Sequence, residues 1–170
     1  TSTAAASGTN PCYAPSELVT GSTMYCDRDY VFSVIPDFLE GTVLIMTANN
    51  DKNSDPSDAS FLCFDVREEA TVYVLYDSRV TADQEPGWMT SMMVGQHMSV
   101  AEVTDTGMAT MSVWVYYTAG AETVCLGGND APGIGSNYIV AIGRAVTHAE
   151  IVGTVQSYEY IGCYIDSSSR

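Results

Sequence analysis

Positive charge is what this chain has least of. Six Lys and Arg stand against 21 Asp and Glu, a formal charge of −15, and a surface of that sign repels phosphate backbones and anionic lipid. Nucleic acid and acidic membranes are thereby excluded as partners. Long apolar runs are missing too. The longest, residues 42–48, has the length of a buried strand and falls far short of the ~18–20 residues of a membrane span, so no membrane insertion is expected. There are only two histidines, His97 and His148, both distant in sequence from the cysteines, and no two cysteines show the close spacing of a zinc ribbon or a redox motif. Disulfides are the better reading of Cys12, Cys26, Cys63, Cys125 and Cys163, which implies an oxidising, extracellular setting. No charged, then apolar, then small-residue segment opens the chain, so any signal peptide is expected to have been removed already or never to have been part of it, and the start reads as mature. Catalytic signatures are lacking as well: no serine sits in a nucleophile elbow and neither histidine has a motif around it. Paired carboxylates suit glycoside hydrolysis, but among 21 acids some fall close together by chance, so no enzyme is expected.

What is present is enough to fold. With 46% hydrophobic and 16% charged residues over 170 positions, the chain suits one domain of the usual ~100–200 residues. Residues 1–15 are small, Ser/Thr/Ala-rich and interrupted by Pro11 and Pro15, and read as a flexible or strand-donating arm whose Ser and Thr are open to O-glycans; no Asn-x-Ser/Thr sequon occurs. From Leu18 onward, β-branched and aromatic runs alternate with Gly, Pro, Asn and Asp. Strands are expected at 18–25, 30–35, 42–48, 60–66, 71–77, 98–103, 108–118, 123–126, 137–143 and 150–158. In 71–77, Val72, Val74 and Tyr76 oppose Thr71, Tyr73 and Leu75; both sets are largely apolar, as in a central strand covered on both faces. Met111, Val113, Val115 and Tyr117 alternate likewise, and Gly120 predicts a hairpin from that strand back to 123–126. Helical spacing appears only at Trp88, Met92 and Met93, within 87–95. The expected fold over 16–157 is an all-β, antiparallel β-sandwich, Ig-like or jelly-roll-like, of about eight to ten strands with at most one short helix.

Four features are candidates for function. Asp51, Asn53, Asp55 and Asp58 place oxygen ligands at near-alternate positions, as a hard cation such as Ca²⁺ requires. Pro56 and Leu62 break the helix-loop-helix calcium pattern, and a plain solvated loop is the alternative. Gly127, Gly128, Gly133 and Gly135 lack the phosphate-binding pattern and read as a turn into a strand. Trp88 follows Pro86-Gly87 and reads first as a buried residue, with an exposed platform for a sugar ring as the alternative; Trp114 lies mid-strand and reads as core. Asp27-Arg28 and Asp77-Arg79 put scarce guanidinium groups beside acids at strand ends, where each is expected to fix a corner of the sandwich.

Two stretches resemble known families. Residues 158–170, YEYIGCYIDSSSR, resemble the opening of a WSC domain, a cysteine-rich extracellular module, through Gly162, Cys163, Tyr164, Asp166 and Arg170. That resemblance assigns Cys163 to a following module with a partner beyond this chain. The other four cysteines then form two disulfides in one of three pairings; Cys12–Cys26 with Cys63–Cys125 is the one taken forward, and the sequence does not decide among them. Residues 25–140 are similar to a β-sandwich domain of secreted multidomain proteins, through the runs at 27–30, 72–79, 86–88 and 126–129. This implies an extracellular sandwich in the company of glycan-associated modules and carries no catalytic residues.

The expected function is non-enzymatic and structural: a subunit of an extracellular filament, matrix or cell-surface layer, partnered with copies of itself through strand addition by the arm. The alternative is a carbohydrate-binding module using Trp88, the tyrosines and acids, with Ca²⁺ as its one candidate cofactor and extracellular glycans as partners.

Overall fold

The computed structural model describes residues 12–129, 133 and 135–145. Nine strands occur among them: β1 (Pro15–Glu17), β2 (Phe32–Val34), β3 (Val43–Ile45), β4 (Leu62–Val66), β5 (Ala70–Asp77), β6 (Val94–Val103), β7 (Thr110–Thr118), β8 (Glu122–Leu126) and β9 (Ile139–Arg144), with one short helix, α1 (Gly87–Met92). The expected strand at 150–158, residues 1–11 of the arm, His148, and the WSC-like stretch with Cys163 lie outside the described residues. The described residues contain no helix long and apolar enough to cross a membrane.

Seven strands form one antiparallel sheet in the order β1-β3-β9-β5-β7-β6-β2, and β4 with β8 forms a second. This is the expected all-β sandwich. Strand β5 lies at the centre with every residue buried, because both of its alternating sets are apolar. Tyr73 and Leu75 join Met111, Val113 and Val115 of β7 and Ile139 and Ala141 of β9 in one core layer, closed over by Leu18, Met24, Tyr25 and Leu39 from the loops. Val72, Val74 and Tyr76 face the other way, with Trp114 and Val140, and are covered by Leu62, Val66, Val124 and Leu126 of the small sheet and by Met89 of α1.

Three local expectations are corrected. The hairpin across Gly120 does not form: both edges of β7 are taken by β5 and β6, so the chain crosses at 119–121 to the second sheet, where β8 pairs with β4. The strand expected at 18–25 is irregular chain with single bridges at Thr23 and Tyr25. Gly21, at φ +92°, breaks it, and Met24, Tyr25 and Cys26 are buried in succession, as in a covering loop. Helical structure ends at Met92 and β6 begins at Val94.

The chain described within the expected arm is fastened to the body. Cys12 is bonded to Cys26, and Tyr13 is buried in the second core layer. Cys63 is bonded to Cys125, directly opposite it in the β4–β8 ladder. Both are the pairings taken forward from the sequence.

Candidate functional site

Strands β3, β5, β6 and β8 end where β2, β4, β7 and β9 begin, so the loops between them meet at one end of the sandwich. Every candidate residue of the sequence analysis with a described position, Trp114 aside, lies in these loops or beside them. Polar side chains at such an end must hold loops that no ladder pairs, since buried backbone groups require partners.

Two corners are built on an arginine and its neighbouring aspartate. At the first, Asp27 accepts the backbone N–H of Asn49 at 2.8 Å and of Asn50 at 3.0 Å, capping the 3₁₀ turn Asn49–Asn53. Arg28 lies 3.2 Å from the Asp27 carboxylate and donates to Asp27 O at 2.6 Å and to Asn50 Oδ1 at 2.7 Å. At the second corner, Asp77 has no exposed surface. Its Oδ1 accepts from Arg79 Nε at 2.9 Å and Arg79 N at 3.0 Å, and its Oδ2 from Arg79 Nη2 at 2.5 Å and Ser136 N at 2.8 Å. This bidentate contact raises the Arg79 pKa above its ordinary value.

Between the corners runs a buried amide network. Asn137 donates its backbone N–H to Asn49 Oδ1 at 2.9 Å and its side-chain amide to Ala48 O at 2.8 Å. Its carbonyl accepts from Tyr25 OH at 2.7 Å, and Asn129 donates to Ser136 O at 2.9 Å. Burial, first of all, holds the Tyr25 and Tyr138 pKa values well above the ordinary range.

An aromatic line crosses the same end: Tyr13 to Phe61 at 6.3 Å, Phe61 to Tyr138 at 6.2 Å, and Tyr138 to Trp88 at 5.6 Å, all edge-on. Trp88 is half-buried, and its indole N–H donates to Gly128 O at 2.8 Å. The two glycines at 127 and 128 make this possible. A Cβ on Gly127 would stand 2.4 Å from the indole Cδ1, and one on Gly128 would stand 2.1 Å from Asp55 O.

The four calcium candidates share one loop. Asp51 accepts from Tyr13 OH at 2.6 Å. Asp55 Oδ1 accepts the amide and hydroxyl of Ser57, which lower its pKa, and Asp58 Oδ1 accepts both groups of Ser60. Asn53 is exposed at the end of the 3₁₀ turn. Among the described residues no three His, Cys, Asp or Glu side chains are placed to hold a metal ion.

Sequence reasoning missed Asn49, Phe61, Ser136, Asn137 and Tyr138. Ser136 and Asn137 carry one signal, a polar pair set just before an apolar strand, which reads equally as a turn; Asn49 and Phe61 carry no such signal.

The sequence matches no protein-family model and no curated protein. The fold has solved counterparts. A β-glucuronidase from glycoside hydrolase family 2 superposes with a TM-score of 0.67 at 23% identity over 78% of this chain and 13% of that one. A family 138 enzyme targeting pectin rhamnogalacturonan II gives 0.53 at 12% identity over 79% of this chain and 16% of that one. At such identities the likeness is one of fold, and this chain spans a small part of either protein.

Proposed function

We propose that this chain is a non-catalytic, disulfide-stapled module of an extracellular carbohydrate-associated protein, and that its loop end binds glycan at Trp88. The observation that carries this is the fixing of Trp88: its N–H is held by Gly128 O and it lies against Gly127, yet it stays half-exposed beside the exposed Asp55 and Asp58. A pre-fixed ring offers an apolar platform at little ordering cost. The fold likeness supports the reading, because segments of 13% and 16% of two carbohydrate-acting enzymes are the size of accessory domains.

The way the described carboxylates are used supports the non-catalytic reading. A general acid needs a raised pKa, whereas the resolved carboxylate shifts here, at Asp55 and Asp83, run downward through hydrogen bonds to Ser57 and Thr81. Asp27, Asp51 and Asp77 hold loops together. Two disulfides favour an oxidising compartment. The filament role expected from the arm gains no support from the described residues.

A glycan array run with calcium and with chelator, beside a reducing-end release assay, tests this reading. Binding to a subset of glycans is expected, lost in Trp88→Ala with folding retained by circular dichroism, and no reducing ends are released. Absence of any bound glycan, or binding indifferent to Trp88→Ala, would sink it.

A further inference from the structure

We infer, building on the glycan reading, that this loop end selects sugars that donate hydrogen bonds, neutral or amine-bearing, and rejects uronates. The groups around Trp88 accept and carry negative charge. Asp55 and Asp58 are exposed, each with Oδ1 engaged by its own serine and Oδ2 turned to no serine partner. Backbone fixes both beside the indole: Gly128 takes the indole N–H on its carbonyl, donates its own N–H to Asp58 O at 3.3 Å, and lies packed on Asp55 O.

The guanidinium charge described at this end is already committed: Arg28 is bonded to Asp27 and Asn50, and Arg79 to Asp77 and Ser136. Lys52, the one lysine of the chain, is half-buried within the 3₁₀ turn. A sugar hydroxyl or ammonium group laid over Trp88 meets carboxylate acceptors. A sugar carboxylate meets like charge, and both guanidinium groups described at this end are already bonded to protein acceptors. Ser57 keeps Asp55 ionised to lower pH than an ordinary carboxylate, so the rejection persists into mild acid.

The test is calorimetric titration of the intact protein with three oligosaccharides of equal length: a neutral β-glucan, a glucosamine polymer and a polygalacturonate. The uronate should bind at least about tenfold more weakly than the neutral sugar at low salt, and the gap should close at about 0.5 M salt, where screening is nearly complete. Joint substitution Asp55→Asn and Asp58→Asn keeps the turn acceptors and should narrow the gap by about threefold. Glu68→Gln with Glu69→Gln, the same change of charge in the exposed turn between β4 and β5 at the far end, should leave it unchanged. Uronate binding as tight as neutral binding at low salt would overturn the inference and leave the glycan reading standing. Equal narrowing by both pairs of substitutions would overturn it in favour of net charge. Failure of all three sugars to bind would remove the glycan reading and this inference together.

Discussion

The two arginine corners are nearly the same in sequence and unlike in physics. At both, an aspartate stands within two residues of an arginine and accepts two backbone N–H groups. The first is at the surface, its Arg28 and Asp27 side chains 37% and 10% exposed. In the second, Arg79 is 27% exposed and Asp77 not at all. Water screens the first pair, and the carboxylate of the second depends wholly on its protein partners. An acid beside an arginine therefore does not announce its worth; burial assigns it.

The largest effect expected is that of Arg79→Met, which leaves Asp77 buried without its counter-charge. It should cost about 3–5 kcal/mol in urea unfolding, and adding Asp77→Asn to it should recover much of the loss. Next comes alkaline pH. The raised folded-state pKa values of Tyr25 and Tyr138 mean that their contribution is fully present below the unfolded tyrosine value and is lost as pH rises through it. Stability should hold to about pH 10 and then fall by about 1.4 kcal/mol per pH unit for each tyrosine. Absorbance of these two phenolates should appear only with unfolding. Asp27→Ala removes the cap of the 3₁₀ turn and should cost about 1 kcal/mol. Arg28→Met should cost under about 0.5 kcal/mol and less still in high salt. Equal losses from Arg79→Met and Arg28→Met would erase the contrast between the corners.

The sequence made the centre of the fold readable and left most of the loop end hidden. Two apolar sets in 71–77 pointed to a strand covered on both faces, and β5 is that strand. Trp114, mid-strand among alternating residues, is core. Gly120 misled because a turn residue looks the same whether the chain folds back within its sheet or crosses to another. Leu18 to Tyr25 misled because residues that cover a core have the composition of strands. The network around Asn137 was beyond local pattern: its partner Asn49 is 88 positions away, and no spacing rule reaches so far. Trp88 was legible as a candidate, but its fixing by Gly127 and Gly128 required three segments to be placed together.

The corners frame the loop end, and the stretch between them, from Asp55 to Phe61 with Trp88 and Gly128, is what remains to meet a ligand. Amide chemical-shift mapping of the labelled protein with a neutral β-glucan oligomer tests that claim most directly. Saturable shifts should centre on the Trp88 indole N–H, Gly128 and residues 55–61, with the Trp114 indole unmoved. Shifts confined to the opposite end, around residues 67–69 and 119–121, would contradict it, as would none at all.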